Sequence, residues 1–195
     1  VFGEGLYFEL SEERVKSWEQ ESGVVARIAK LKKQNSKMQT SRHLRERDIT
    51  ARFVLLHTFS HLLMNRLTFE CGYSSAALRE RIYVSNSNHA PMCGVLIYTA
   101  DGDSEGTMGG LVRMGKPGNL EPVLIKAIAK WCSSDPICME LGSGSGQGPD
   151  SCNLAACHNC ALVPETACEE FNRFLDRGVI VGDFEGTING YFDFI

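Results

Sequence analysis

The chain has 195 residues, enough to bury a core as one globular unit, and its 43% hydrophobic and 23% charged content is that of an ordinary folded protein. General disorder and a fibrous repeat are excluded, and the densest apolar run, Phe53 to Met64, is interrupted by His57, Thr58, Ser60 and His61 and falls short of the roughly 20 residues that span a bilayer. The formal net charge of −4 hides an asymmetry: from Arg27 to Arg52 nine basic residues stand against two acidic ones, a local balance of +7, and the remainder is acidic.

The opening Val1-Phe2-Gly3-Glu4-Gly5 has no initiating Met and no basic region followed by an apolar stretch. It reads as a fragment of a longer, non-secreted protein, with the cytoplasm as the expected compartment. Ser11 is placed to cap a helix whose first turn holds Glu12 and Glu13. Val15, Trp18, Val25, Ile28 and Leu31 follow at helical spacing, interrupted by Gly23, so residues 11–33 predict one helix or two short ones. Residues 34–43 lack an apolar period and read as a polar connector.

The clearest pattern comes next. Ile49, Phe53, Leu56, Ser60, Leu63 and Leu67 mark one helical face, and Val54, Leu55, Phe59, Leu62 and Met64 make the remaining faces apolar too. A helix apolar all round belongs in the middle of a fold, and Gly72 suits its left-handed cap. Arg81–Val84 and Gly94–Thr99 read as strands, being rich in β-branched and aromatic residues. Glycines and acids between Ala100 and Gly118 predict a loop, Leu120 to Trp131 a helix, and residues 142–150 a flexible insertion. Thr166 to Leu175 predicts a short helix, and Val179–Val181 with the Asn189-Gly190 turn a closing hairpin. The expected class is α+β: a long buried central helix, a small sheet and a cysteine knuckle. Residues 1–45 form a basic helical segment and 46–195 the main domain, within one globular unit.

Six of the eight cysteines fall between Cys132 and Cys168. Such crowding in a reducing compartment favours metal over a disulfide framework. Cys157-His158-Asn159-Cys160 has the two-residue spacing that turns both thiolates toward one tetrahedral zinc. Cys132 and Cys138 complete the expected set, with Cys168 as the alternate ligand and Cys152 less well placed. A redox role for the pair would need a thioredoxin-like βαβ setting, which the pattern lacks.

With those cysteines, the segments His57-Thr-Phe-Ser-His61, Asp103-Ser-Glu-Gly-Thr-Met-Gly-Gly-Leu111, Trp131-Cys-Ser-Ser-Asp-Pro-Ile-Cys138, Ala156-Cys-His-Asn-Cys160, Pro164-Glu-Thr-Ala-Cys168 and Asn172-Arg-Phe-Leu-Asp-Arg177 together resemble the C-terminal domain of the DrmB family. That family belongs to the DISARM anti-phage system, and the same domain type is appended to MrfA-type repair helicases as a zinc-binding module. The resemblance covers roughly residues 50–182. It implies a non-catalytic accessory domain, partnered by a DrmA-type helicase and acting on DNA through the complex. In the helicase relatives the zinc cysteines are more compactly spaced, whereas eighteen residues separate Cys138 from Cys157 here.

Other constellations carry weaker readings. His57 and His61 lie at i and i+4, as in zinc proteases, but Thr58 stands where the general-base glutamate would be. They are buried hydrogen-bonding residues on one reading. On the alternative, they form a metal-dependent hydrolase or nuclease site with an acid of the Asp101/Asp103/Glu105 loop. Gly110 to Lys116 resembles a phosphate-binding loop until Pro117 replaces the hydroxyl that binds magnesium. The basic run, notably Lys30, Lys32, Lys33, Arg42 and Arg45, offers sequence-independent phosphate contacts.

Overall fold

Residues 3–42, 47–87, 89–100, 110–128, 132, 138 and 146–193 are described in a computed structural model of the chain. The Asp101/Asp103/Glu105 loop lies outside them.

The element order is β1 (Gly5–Glu9), α1 (Glu12–Trp18), α2 (Ser22–Arg42), α3 (Ala51–Cys71), β2 (Leu78–Ser85), β3 (Met92–Thr99), α4 (Gly110–Met114), α5 (Leu120–Ile128) and α6 (Gly178–Val181). Three antiparallel strands form one sheet in the order β1-β3-β2, with Leu6 opposite Ile97 and Ile82 opposite Val95. This is the expected α+β class. Helix α3 packs against β2, β3 and α5. It is buried without a break from Arg52 to Met64, as its all-round apolar sequence requires. The Thr50 hydroxyl accepts from the Phe53 amide at its start, and Gly72, at φ 72°, closes its end.

The N-terminal helical region is indeed two helices, but α2 continues through the expected connector to Arg42. Ser36 and Thr40 there turn their hydroxyls back onto the carbonyls of Lys32 and Ser36, at 2.9 and 3.0 Å, within the helix. Because α2 restarts at Ser22, Val24 rather than Val25 joins Ile28 and Leu31 in the core, while Val25 is 54% exposed. Gly23 sits under the C-terminal segment, where a Cβ would lie 2.0 Å from the Thr187 carbonyl oxygen. Gly23→Ala is therefore expected to destabilise the chain by about 1–3 kcal/mol despite alanine's better helix propensity. Urea unfolding checks the sign, which propensity alone would reverse.

Several local expectations give way to tertiary structure. Strand β1 was not foreseen, and α4 interrupts the loop expected through Gly118. The described part of the insertion at 142–150 carries a bridge between Gln147 and Asn153 and the start of a 3-10 turn over Pro149–Ser151. The helix expected at Thr166–Leu175 is a 3-10 turn at Glu165–Ala167, after which Phe171, Asn172 and Phe174 take positive φ angles of 53°, 59° and 66°. The expected closing hairpin is instead helix α6, onto which the chain returns through Tyr191 N–H to Val179 O at 2.9 Å and Phe192 N–H to Ile180 O at 3.1 Å.

Two cations of the basic run are structural. Arg52, 1% exposed, binds Glu19 at 2.7 Å and Glu12 at 2.9 Å, tying α3 to α1. Arg27, 4% exposed, forms a two-pronged bond with Asp176 at 2.5 and 2.9 Å, joining α2 to the segment behind the cysteine knuckle.

Candidate metal centre

The knuckle is built by backbone turns: the Cys157 carbonyl accepts from the amides of Cys160, Ala161 and Leu162 at 3.0–3.2 Å, which folds the chain back so that Cys157 and Cys160 face the same way. Cys132 and Cys138 arrive from the chain beyond α5. Sulfur separations are 3.5 Å for Cys132–Cys157, 3.7 Å for Cys138–Cys160 and 3.6 Å for Cys157–Cys160. A tetrahedral ion with zinc–sulfur bonds of about 2.3 Å sets its sulfurs about 3.8 Å apart, so this cluster has the size of one zinc shell.

The electrostatics fit an ion as well. The Cys160 thiol is drawn down to about 5 by its hydrogen bond with Cys138, helped by the Cys157 amide and a nearby Arg177 guanidinium. Burial pushes the Cys157 thiol up to about 12, and the hydrogen bond to Cys160 pushes Cys138 upward. One thiolate is therefore easy to form and further ones are costly until a cation takes up their charge. Four thiolates around a divalent ion leave a charge of −2. Arg177, 6% exposed and influenced by all four cysteines, offsets part of it.

Cys168, the alternate ligand, lies elsewhere, and this is a correction with a plain cause. The turn at Glu165–Ala167 sends the chain back against α3, and the Cys168 sulfur stands 3.1 Å from His57 Nε2. Cys152 packs in the hydrophobic core, outside both groups. Around Cys168 a second cluster is gathered, comprising His57, His61, Glu80 and Cys168, all buried, with their ligand atoms within 4.8 Å of one another. Glu80 Oε1 is 3.2 Å from His57 Nε2 and 3.4 Å from His61 Nε2. Glu80 holds His57 up to about 10 against the opposing effect of burial. The two histidines in turn hold Glu80 well below the usual carboxylate range, again against burial. Burial would raise the Cys168 thiol, but the His57 hydrogen bond outweighs it and brings the thiol down to about 7.

Sequence reasoning missed Glu80 because it began the strand at Arg81. In β2 the alternation of Leu78, Glu80 and Ile82 turns Glu80 inward, where it is 3% exposed. An acid in phase with the apolar face of a strand was the available signal.

Of the proposed phosphate contacts, Lys30, Lys32 and Lys33 lie exposed on α2, Lys32 within 3.9 Å of Asp48. The side chain of Arg42 and all of Arg45 lie outside the described residues. Arg47 covers the Phe53 ring at 4.4 Å and pairs with Glu170 at 3.2 Å.

Four thiols at the spacing of one tetrahedral ion, set beside a buried helix and a three-stranded sheet, mark a metal-binding domain. The MrfA Zn-binding domain profile matches residues 59–161, and the chain belongs to that family. It is also similar to the DISARM protein DrmB of Bacillus paralicheniformis, at 37% identity over 198 residues, covering 98% of this chain and 34% of the relative. The chain thus spans about a third of that relative's length. No helix among the described residues is long and apolar enough to cross a membrane.

Proposed function

We propose that the chain is a non-catalytic accessory domain whose zinc, held by Cys132, Cys138, Cys157 and Cys160, staples the segment after α5 to the knuckle. The observation that supports this most directly is the convergence of those four sulfurs at zinc-shell distances. Bound there, the ion supplies no reacting position, because four protein ligands complete a tetrahedral shell. The chain's own contribution is to orient the thiols and to place Arg177 against their charge. Residues 1–45 and 46–195 act as one unit, since β1 completes the sheet that β2 and β3 begin.

Similarity to a protein named for DISARM extends the reading to anti-phage defence in the cytoplasm, as part of a longer protein working with a DrmA-type helicase. DNA is contacted in that complex through the exposed lysines of α2, together with Arg42 and Arg45. Reversing Lys30, Lys32 and Lys33 to glutamate is expected to weaken DNA binding by the parent complex at least tenfold and to flatten its salt dependence, because each lysine lost is a counterion no longer released. Zinc content and melting temperature should stay the same. An unchanged affinity and salt slope would make this face solvated surface only, and the domain a protein-docking module.

A further inference from the structure

The cluster behind α3 brings four potential metal ligands together inside the core. His61 Nδ1 lies 2.7 Å from the Ala161 carbonyl oxygen, which can only accept, so Nδ1 carries a proton. Its other nitrogen, Nε2, faces the cluster 3.4 Å from Glu80 Oε1, and this fully buried atom has no hydrogen-bond partner among the described residues. The Cys168 sulfur accepts from the amides of Glu170 and Asn172, at 3.3 and 3.2 Å, the arrangement that steadies a thiolate. Glu80 is held by the Ser60 hydroxyl on one oxygen and the Glu169 amide, at 3.3 Å, on the other. His57 lies against the Phe53 ring, with centroids 5.4 Å apart, and points Nε2 between Cys168 and Glu80. Electron-rich atoms from α3, β2 and the turn after Ala167 thus converge on one point from several sides.

We propose that His57, His61, Glu80 and Cys168 form a second, structural metal site for a divalent ion of the zinc class, separate from the four-cysteine centre. The dimensions are close to those of one ion. Zinc–nitrogen and zinc–oxygen bonds of about 2.0–2.1 Å and a zinc–sulfur bond of about 2.3 Å place tetrahedral ligand atoms about 3.3–3.6 Å apart. His61 Nε2 and Glu80 Oε1 stand 3.4 Å apart, inside that range, while Cys168 Sγ and Glu80 Oε1 stand 3.1 and 3.2 Å from His57 Nε2, so that an ion would open the cluster slightly. The charge agrees: one thiolate, one carboxylate and two neutral imidazoles are neutralised by a single divalent ion, as a buried setting requires. The Ala161 carbonyl, the Ser60 hydroxyl and the backbone amides are outer partners that orient His61, Glu80 and Cys168, while His57 is set by its packing on Phe53. Since the four protein ligands fill a tetrahedron in the core, the site has no open position for water. It joins α3 to β2 and to the turn after Ala167, and is a staple rather than a hydrolytic centre.

The test is metal content and X-ray absorption on the full chain purified without chelator. About two zinc ions per chain are expected, sharing five sulfur and three nitrogen or oxygen donors between them. Glu80→Gln and Cys168→Ser should each lower the count from about two to about one, leaving an all-sulfur shell, whereas Cys160→Ser should leave the mixed shell. A single zinc with four sulfur ligands in the unmodified chain would overturn the proposal without reference to any variant's folding. A single zinc with one sulfur and three lighter donors would uphold it and overturn the four-cysteine assignment instead.

Discussion

Cys160→Ser is expected to release the four-cysteine ion and to lower the melting temperature far more than Cys71→Ala or Cys93→Ala. A structural zinc contributes about 10–16 kcal/mol of apparent binding free energy in small domains, whereas a whole domain is stable by only about 5–15 kcal/mol. Losing the ion therefore removes as much as everything else provides locally. Serine occupies almost the same space as cysteine, so packing is not the cause of the loss. Cys71 and Cys93 belong to neither cluster. Truncating them removes one sulfur from a packed setting, a change of about 1–2 kcal/mol. Thermal unfolding with elemental analysis of the same samples separates the cases, and equal losses at all three positions would refute the staple.

Asp176→Ala is expected to have the next largest effect, although it touches no metal ligand. Its carboxylate is 0% exposed and accepts from Arg27 Nε and Nη2, from the Ala155 amide at 3.2 Å and from the Gly178 amide at 2.9 Å. Removal leaves the buried Arg27 guanidinium, among the described residues, a longer pairing to Asp183, at 3.7 Å, and strands two backbone donors. Breaking a buried pair from one side costs about 3–5 kcal/mol. By contrast Lys16→Ala, which removes a half-exposed partner of Glu12 at 3.4 Å, should cost about 0.5 kcal/mol or less. Urea unfolding of the zinc-loaded chain measures both. Similar midpoints for the two variants would show that the Arg27–Asp176 bond carries no special weight. Gly178 belongs to the same arrangement, since a Cβ there would meet the Arg27 guanidinium at 2.4 Å.

What the sequence determined by itself is what short-range spacing can express. The all-round apolar run of α3, its Gly72 stop, and the two-residue spacing of Cys157 and Cys160 each state their geometry within a few residues, because helix period and knuckle turn are local. The histidine pair was legible in the same way, at i and i+4. The tertiary structure decided what lies opposite. Glu80 and Cys168 meet His57 from 23 and 111 positions away, through a strand's inward alternation and a 3-10 turn that no local pattern specified. The basic run looked uniform in sequence, yet Arg27 and Arg52 are buried in ion pairs while Lys30, Lys32 and Lys33 face solvent. Charge along the chain does not say which side chains a fold will enclose. That depends on whether a distant carboxylate arrives to offset the cost of desolvating them.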